Sequence, residues 1–420
     1  MTLSTPAGYR PLDDASLRRF LADLPDLAAK LGGAPADWSI VEVGDGNLNL
    51  VFLIDGPAGS LCVKQSLPYV RAAGESWPLP LDRAFFEQAY YRAVAPFTEG
   101  LTPRFYHYDP ALYAIVMERL SPHIILRRGL IEGRRYPDAA RAVAEFSARS
   151  TFATSDLGAT IEEKAEWLAT FARNTALIRI TAEVVFTDPL AESPRNRWTS
   201  PALDAIAAEF RADSALKVTV AEWGRRFLTT SEALIHGDLH TGSVMVSETD
   251  TRVMDPEFAF VGPIGFDVGA FIANLAMNAI AQKGHAADGD DRSAEADWVL
   301  EQIPVFWNTW RARFLALWEE APRGDAYPPG MFAKEGDKAA FAAAREAFVD
   351  RIFADATGYA GVKTIRRILG FAHNADFELI ADPARRAPLE TRALRLARRF
   401  LMEPQSFRSA EDIVAAVREG

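Results

Sequence analysis

The apolar residues of this chain change period once, and that change limits the possible folds more than any single motif does. Residues 38 to 65, WSIVEVGDGNLNLVFLIDGPAGSLCVKQ, hold apolar β-formers broken by two glycine-containing turns, a pattern that predicts three antiparallel strands. Residues 81 to 95, LDRAFFEQAYYRAVA, take helical spacing with their charges on the polar side. Two further strand patterns follow at 104 to 108 and 113 to 118, parted by the Asp109-Pro110 turn. From Asp138 onward most segments are rich in Ala, Leu, Arg and Glu with helical periodicity, which predicts a mainly helical remainder. The exceptions are three short apolar pieces, 233 to 235, 244 to 246 and 252 to 254, set around polar motifs. The expectation is an α+β chain of two lobes: an antiparallel sheet with one main helix over 1–120, and a larger helical lobe over 121–420. At 420 residues the chain is too long for one core, and two packed units leave a cleft.

Composition narrows the partners. A formal charge of -11 argues against nucleic acid and against an anionic membrane surface, both of which want a concentrated basic face. Hydrophobic content of 49% with 25% charged residues is ordinary for a globular chain. The single cysteine, Cys62, excludes an internal disulfide framework and reads as a buried strand residue in a reducing, cytoplasmic compartment. The N-terminal stretch has no apolar run behind a basic end, and no segment is expected to reach the apolar length of a membrane span. Gly, Asp and Ser cluster at 284 to 293, which predicts a mobile loop.

Four groups of residues carry candidate chemistry. The turn Gly44-Asp45-Gly46-Asn47 precedes Asn49 on the next strand. Glycine there lets backbone N–H groups approach phosphate oxygens, although the same four residues make an ordinary hairpin turn. Lys64 shares a strand face with Cys62 by alternation, and an inward lysine needs an anion such as a nucleotide phosphate. Glu87 on the following helix is the best placed partner for it. Taken singly, a snorkelling lysine and a solvated helix face explain these residues better, and they lose ground only when the set is taken together.

The more specific signal is LIHGDLHTGS, in which an apolar strand delivers Asp238 into a loop, followed by MDPEF, in which a second strand delivers Asp255 and Glu257. In phosphoryl transfer one carboxylate orients and deprotonates the attacking hydroxyl while others hold Mg²⁺ against the phosphates of ATP. His236 and His240 also fit the ligand spacing of a metal-dependent hydrolase, but that alternative leaves Lys64 and the glycine turn unused. His236 is expected to brace the loop, and Asp267 to cap a helix or hold the loop's N–H groups.

In this order, the glycine hairpin, Lys64, Glu87, His-Gly-Asp and the carboxylate pair resemble the aminoglycoside-phosphotransferase branch of the protein-kinase-like fold. More narrowly they resemble the methylthioribose kinase family. The matching stretches include GDGNLNLVF, KQSLPYVRAAGESWPLPLDRAFFE, VMERL, RRGLIEGRRYP, LIHGDLHTGSVMV, MDPEFAFVGPIGFDVGAFIANL and IRRILGFAHNADFE, which span nearly the whole chain. Ser243 stands where the wider superfamily has a metal-binding Asn, and Glu257 supplies a replacement carboxylate, two changes that this family shares. The resemblance implies ATP and Mg²⁺ as cofactors and phosphates met by Lys64 and the Asn49 backbone. It also implies adenine at the backbone of Glu118, Arg119 and Leu120, although Arg119 departs from the acidic residue common there. Asp238 as base, Arg366 and Arg367 on the sugar, a loop around Trp77 as a cover, and a homodimer follow from it as well. The implied reaction phosphorylates the 1-hydroxyl of 5-methylthio-D-ribose in methionine salvage. The alternatives are another small-molecule kinase of the aminoglycoside or choline type and a silent nucleotide-binding protein.

Overall fold

The computed structural model describes residues 6–44, 48–70, 74–287 and 289–419. Two compact units emerge, Met1–Pro122 with Asp255–Phe258, and His123–Met254 with Ala259–Gly420. The boundary falls two residues after the division expected at 120/121, and the four residues that begin with Asp255 group with the first unit, because their side chains and backbone bond there.

The first unit is built on five antiparallel strands, β1 (Ser39–Glu42), β2 (Asn49–Asp55), β3 (Ser60–Ser66), β6 (Phe105–Asp109) and β7 (Ala114–Glu118), in the order β1-β2-β3-β7-β6. A separate ribbon pairs β4 (Tyr69–Val70) with β5 (Gly74–Pro78), which carries Trp77. Strand alternation sorts β3 cleanly. Leu61 and Val63 join Phe52, Ile54 and Val116 in a core closed by Leu17, Leu21, Leu27 and Leu31 from two N-terminal helices. Cys62 and Lys64 point to the other face, where Ala84 and Tyr91 of the helix Arg83–Val94 pack with Ile115 and Met117. Cys62 is thus half-buried on the lysine face rather than in the main core, and burial pushes its thiol up to about 12.

In the second unit β9 (Ala233–Ile235) pairs with β12 (Phe260–Gly262), and β10 (Val244–Val246) lies between β11 (Thr251–Val253) and β8 (Ile124–Ile125). These short pairs anchor the loop that carries Asp238. The centre of the unit is the helix Ile264–Ala281, buried at every residue. The stretch Ile264–His285 is long and apolar enough to cross a membrane, contrary to the expectation that no segment reaches that length. Its apolar part is buried inside the protein, with Lys283 near its end exposed, and the amides of Asn274, Asn278 and Gln282 along it find buried partners. Gly265 and Gly269 let this helix touch the long helix Asp337–Leu369: a methyl on Gly269 would lie 2.2 Å from the Ala356 carbonyl oxygen, and one on Gly265 2.7 Å from the Asp355 Cβ. This close approach fixes the long helix against the segment that supplies Phe266 and Asp267.

Part of the predicted mobile loop is anchored as well. The His285 Nε2 donates to the Asp376 carbonyl at 2.7 Å, and Arg292 Nη1 donates to the Ile131 carbonyl at 2.6 Å.

Candidate active site

The predicted residues are divided between the two units. In the first, Lys64 on β3 reaches Glu87 on the helix Arg83–Val94 at 2.7 Å and contacts the Asp255 carboxylate. Glu87, Asp255 and Glu257 place one carboxylate oxygen each within 4.8 Å of one another. Asp255 takes a left-handed backbone, φ 69, which aspartate tolerates better than most residues, and its N–H donates to the Tyr91 hydroxyl at 3.0 Å.

Two side chains hold this cluster together, Arg83, which sequence reading missed, and Asn49, of which it used only the backbone. Arg83 is 1% exposed; it donates to the Leu67 and Pro80 carbonyls at 2.8 Å and to Asn49 Oδ1 at 3.0 Å, and lies 3.4 Å from Glu257. Its position one helical turn before Glu87 was the available signal. The Asn49 side chain donates to Glu257 Oε2 at 3.1 Å, so Asn49 enters the cluster through its amide as well as offering a backbone.

The charges do not balance. Three carboxylates, Glu87 and Glu257 buried and Asp255 half-exposed, face two cations, Lys64 and Arg83. Burial pushes Glu87 up to about 8 against the pull of Lys64, and burial likewise raises Glu257. Burial also opposes the charge on Lys64, but Asp255, Glu87 and Glu257 together outweigh it and raise it well above the ordinary value. A surplus of close carboxylate oxygens is the donor set of a hard divalent cation such as Mg²⁺, and Asp255 and Glu257 are the two not already matched to the lysine by the helix.

Of the glycine turn only Gly44 lies within the described residues. Gly44 has an unstrained φ and open space where a Cβ would stand, so nothing in its conformation demands glycine, and Gly46 lies outside the described residues. At the end of β7 the Glu118 N–H donates to the Arg104 carbonyl at 2.8 Å and is therefore not available to a base. Arg119 pairs with Asp55, and Leu120 follows directly on the same segment.

The second unit holds Asp238. Gly237 adopts φ 82, a conformation that explains glycine in His-Gly-Asp. The His236 N–H and Gly237 N–H donate to the buried Asp267 carboxylate at 2.7 and 3.1 Å. His236 Nδ1 accepts the Asp238 N–H at 3.3 Å while its Nε2 donates to the Met254 carbonyl at 2.9 Å. His240 Nδ1 accepts the Gly242 N–H at 2.9 Å and its Nε2 lies 3.2 Å from Asp238 Oδ2. All four ring nitrogens are thereby occupied, which removes the hydrolase reading of the two histidines. Ser243 donates its hydroxyl to the Asp238 carbonyl at 2.8 Å, closing the loop from its far end.

Arg366 and Arg367 end the long helix and both donate to the Ala372 carbonyl, at 3.3 and 3.1 Å. Arg367 Nη2 comes within 4.0 Å of Asp238 Oδ1, and Arg366 Nε is buried with no partner among the described residues. Burial makes all the cations here costly: it lowers Arg127, Arg366 and Arg367. Asp238 runs the other way. Burial would raise it, but His240, Lys363 and Arg367 together hold it well below the usual carboxylate range.

The brace on the loop predicts a stability effect. Asp267→Ala leaves two buried N–H donors unpaired, an expected loss of about 2–4 kcal/mol, read as a lower Tm by calorimetry together with lost turnover. An unchanged Tm would show that Asp267 does not hold the loop.

Comparison with known proteins agrees with this geometry. Residues 39–298 match the model of the phosphotransferase enzyme family. Over 414 residues the chain is 41% identical to methylthioribose kinase 1 of Oryza sativa subsp. japonica, covering 98% of this chain and 96% of the relative. The chain belongs to the methylthioribose kinase family. A methylthioribose kinase of Escherichia coli is 38% identical over 419 residues, all of both chains. Among solved structures, a glucosamine kinase overlays with a TM-score of 0.51 at 13% identity, covering 94% of this chain and 84% of that one, which speaks for the kinase-like α+β fold alone. For a methylthioribose kinase family member the residues that sequence reading passed over are Arg83, the Asn49 amide, His240 as a partner of Asp238, and Lys363. Lys363 has a visible signal in hindsight: in VKTIRRIL it stands four residues before Arg367, the spacing of one helix face.

Proposed function

We propose that this protein transfers the γ-phosphoryl group of ATP to the 1-hydroxyl of 5-methylthio-D-ribose, giving the 1-phosphate. The observation that carries the reading is the presence of both an acid-rich Lys64 cluster in one unit and a half-buried, ionised Asp238 in the other, in a chain of this family. Asp238 accepts the hydrogen of the acceptor hydroxyl, the hydroxyl oxygen forms its bond to Pγ, the Pγ–O bond to ADP breaks, and the proton ends on Asp238. An anomeric hydroxyl is more acidic than an ordinary alcohol, so one weakly basic carboxylate suffices. Lys64, matched by Glu87, binds phosphate oxygens, and Asp255 and Glu257 are the residues that would hold Mg²⁺. That ion, when bound, supplies charge neutralisation on the β- and γ-phosphates. Arg366 and Arg367 hold sugar oxygens and add positive charge near the acceptor. The Glu118–Leu120 backbone carries adenine, and the Trp77 ribbon is the candidate cover. A cytoplasmic homodimer that acts without nucleic acid or membrane completes the reading.

Release of ADP, followed in a coupled assay with ATP, Mg²⁺ and methylthioribose, tests it. Turnover at least 100-fold above that with choline or an aminoglycoside is expected, since roughly 3 kcal/mol of discrimination follows when cationic acceptors meet buried arginines. A ³¹P spectrum should show an anomeric phosphate. Equal or faster turnover of an amine would overturn the substrate assignment.

A further inference from the structure

Asp238 is gripped on both oxygens. His240 Nε2 stands 3.2 Å from Oδ2, and because His240 Nδ1 accepts the Gly242 N–H, Nε2 must carry the proton and donate. On the other side Lys363 Nζ lies 3.2 Å from Oδ1. Lys363 is 4% exposed, and its ammonium sits 4.2 Å from the centre of the Phe266 ring. The lysine and the ring come from the two helices that Gly265 and Gly269 bring into contact, so the ammonium has little freedom to move away from the carboxylate. The charged groups facing it are Asp238 from the loop, Asp267 from the helix Ile264–Ala281, and Arg366 and Arg367 from its own helix. An ionised carboxylate has about four lone-pair directions. With one on each oxygen taken, the remaining directions are left for an acceptor hydroxyl.

We propose that Lys363 is a positioning residue for phosphoryl transfer, fixing the ionised Asp238 carboxylate in the orientation from which it receives the acceptor proton. The inference rests on the reading of Asp238 as base and adds the residue that aims it. A loose transition state leaves little covalent work to the base, so its alignment matters more than its strength. Lysine is suited to the task as a compact point charge, and it is also a charge that can be lost. Burial lowers Lys363 to about 8; Asp238 and Asp267 oppose that, and Arg366 and Arg367 add to it. The ammonium is therefore present below about pH 8, and Asp238 loses this partner as the pH rises through that value.

Lys363→Met and Lys363→Arg in the full-length chain decide the matter. For Lys363→Met, kcat should fall roughly 30- to 100-fold with KM for ATP within about twofold, the cost of a misaimed catalytic group. The wild type should lose rate on the alkaline side of about pH 8, Lys363→Met should not show that limb, and Lys363→Arg should recover most of kcat with the limb moved upward. A Lys363→Met kcat within about threefold of wild type, or an unchanged alkaline limb, overturns the proposal. A substrate-independent arm uses ¹³Cε-labelled lysine: one resonance should titrate near pH 8 and move to lower pH in Asp238→Asn. Should Lys363→Met fail to fold, the Lys363→Arg profile and this resonance decide, and a resonance indifferent to Asp238→Asn overturns the proposal. If wild type ignores methylthioribose while that coupling holds, the substrate reading fails and the Lys363–Asp238 pairing stands.

Discussion

Asp238→Asn is expected to leave a folded protein that binds ATP and loses at least 10³-fold in kcat, the scale of removing a general base together with its alignment. Asparagine keeps the shape and can still accept the His240 Nε2 hydrogen through its amide oxygen, so the loop set by Gly237, Ser243 and Asp267 should persist. It cannot take a proton. Binding of ATP measured by calorimetry should stay within about threefold of wild type, because the phosphate-binding cluster around Lys64 uses none of the loop. A retained rate would remove Asp238 from the chemistry altogether. The pH dependence has a definite sign. With its folded value depressed by His240, Lys363 and Arg367, Asp238 contributes stability that is present above its unfolded value near 4 and is lost as pH falls through the folded one. No acid limb of activity near neutrality is expected from Asp238, and Asp238→Asn should lower stability at neutral pH, where Lys363 and Arg367 lose their counter-charge, and not at strongly acid pH.

The carboxylates were legible in the sequence because each sits at the end of a short apolar strand, and a strand that ends in a polar loop announces where its side chains go. Lys64 and Glu87 were legible for a related reason: alternation and helical period each fix a face. What period cannot fix is contact between elements far apart in the chain. Lys363 meets Asp238 across 125 positions; its spacing to Arg367 puts the two on one helix face but does not say what that face meets. The same limit hid Arg83 and the Asn49 amide, whose roles depend on Glu257 arriving some 208 positions later. It also hid the grouping of Asp255–Phe258 with the first unit. Glycine was hard to read from sequence alone, since Gly237 is needed for its backbone φ and Gly265 and Gly269 for the close approach of a neighbouring helix, neither of which shows in a local pattern. The helix Ile264–Ala281 shows why apolar length alone decides little: a core helix and a membrane span bury the same side chains, and only the packed neighbours tell them apart.

The second large effect falls on the carboxylate pair. Asp255→Asn should reduce kcat by about 10³-fold, and Glu257→Gln should raise the Mg²⁺ concentration needed for half-maximal rate by roughly 10- to 100-fold. The two differ because of their surroundings. Asp255 is the more exposed carboxylate and contacts Lys64 directly, so its loss removes a cation ligand and frees the lysine at once. Glu257 is buried between the Asn49 amide and Arg83, and glutamine in its place keeps an oxygen but gives up the charge, leaving Arg83 surrounded by carbonyls alone. Rate measured against free Mg²⁺ at saturating ATP separates these outcomes, and Glu87→Gln serves as the control: it should raise KM for ATP through Lys64 without moving the Mg²⁺ midpoint. If Glu257→Gln leaves that midpoint where it was, Glu257 is a brace for Arg83 and Asn49 and not a ligand. The surplus carboxylate charge would then have to be carried by Asp255 and Glu87 alone.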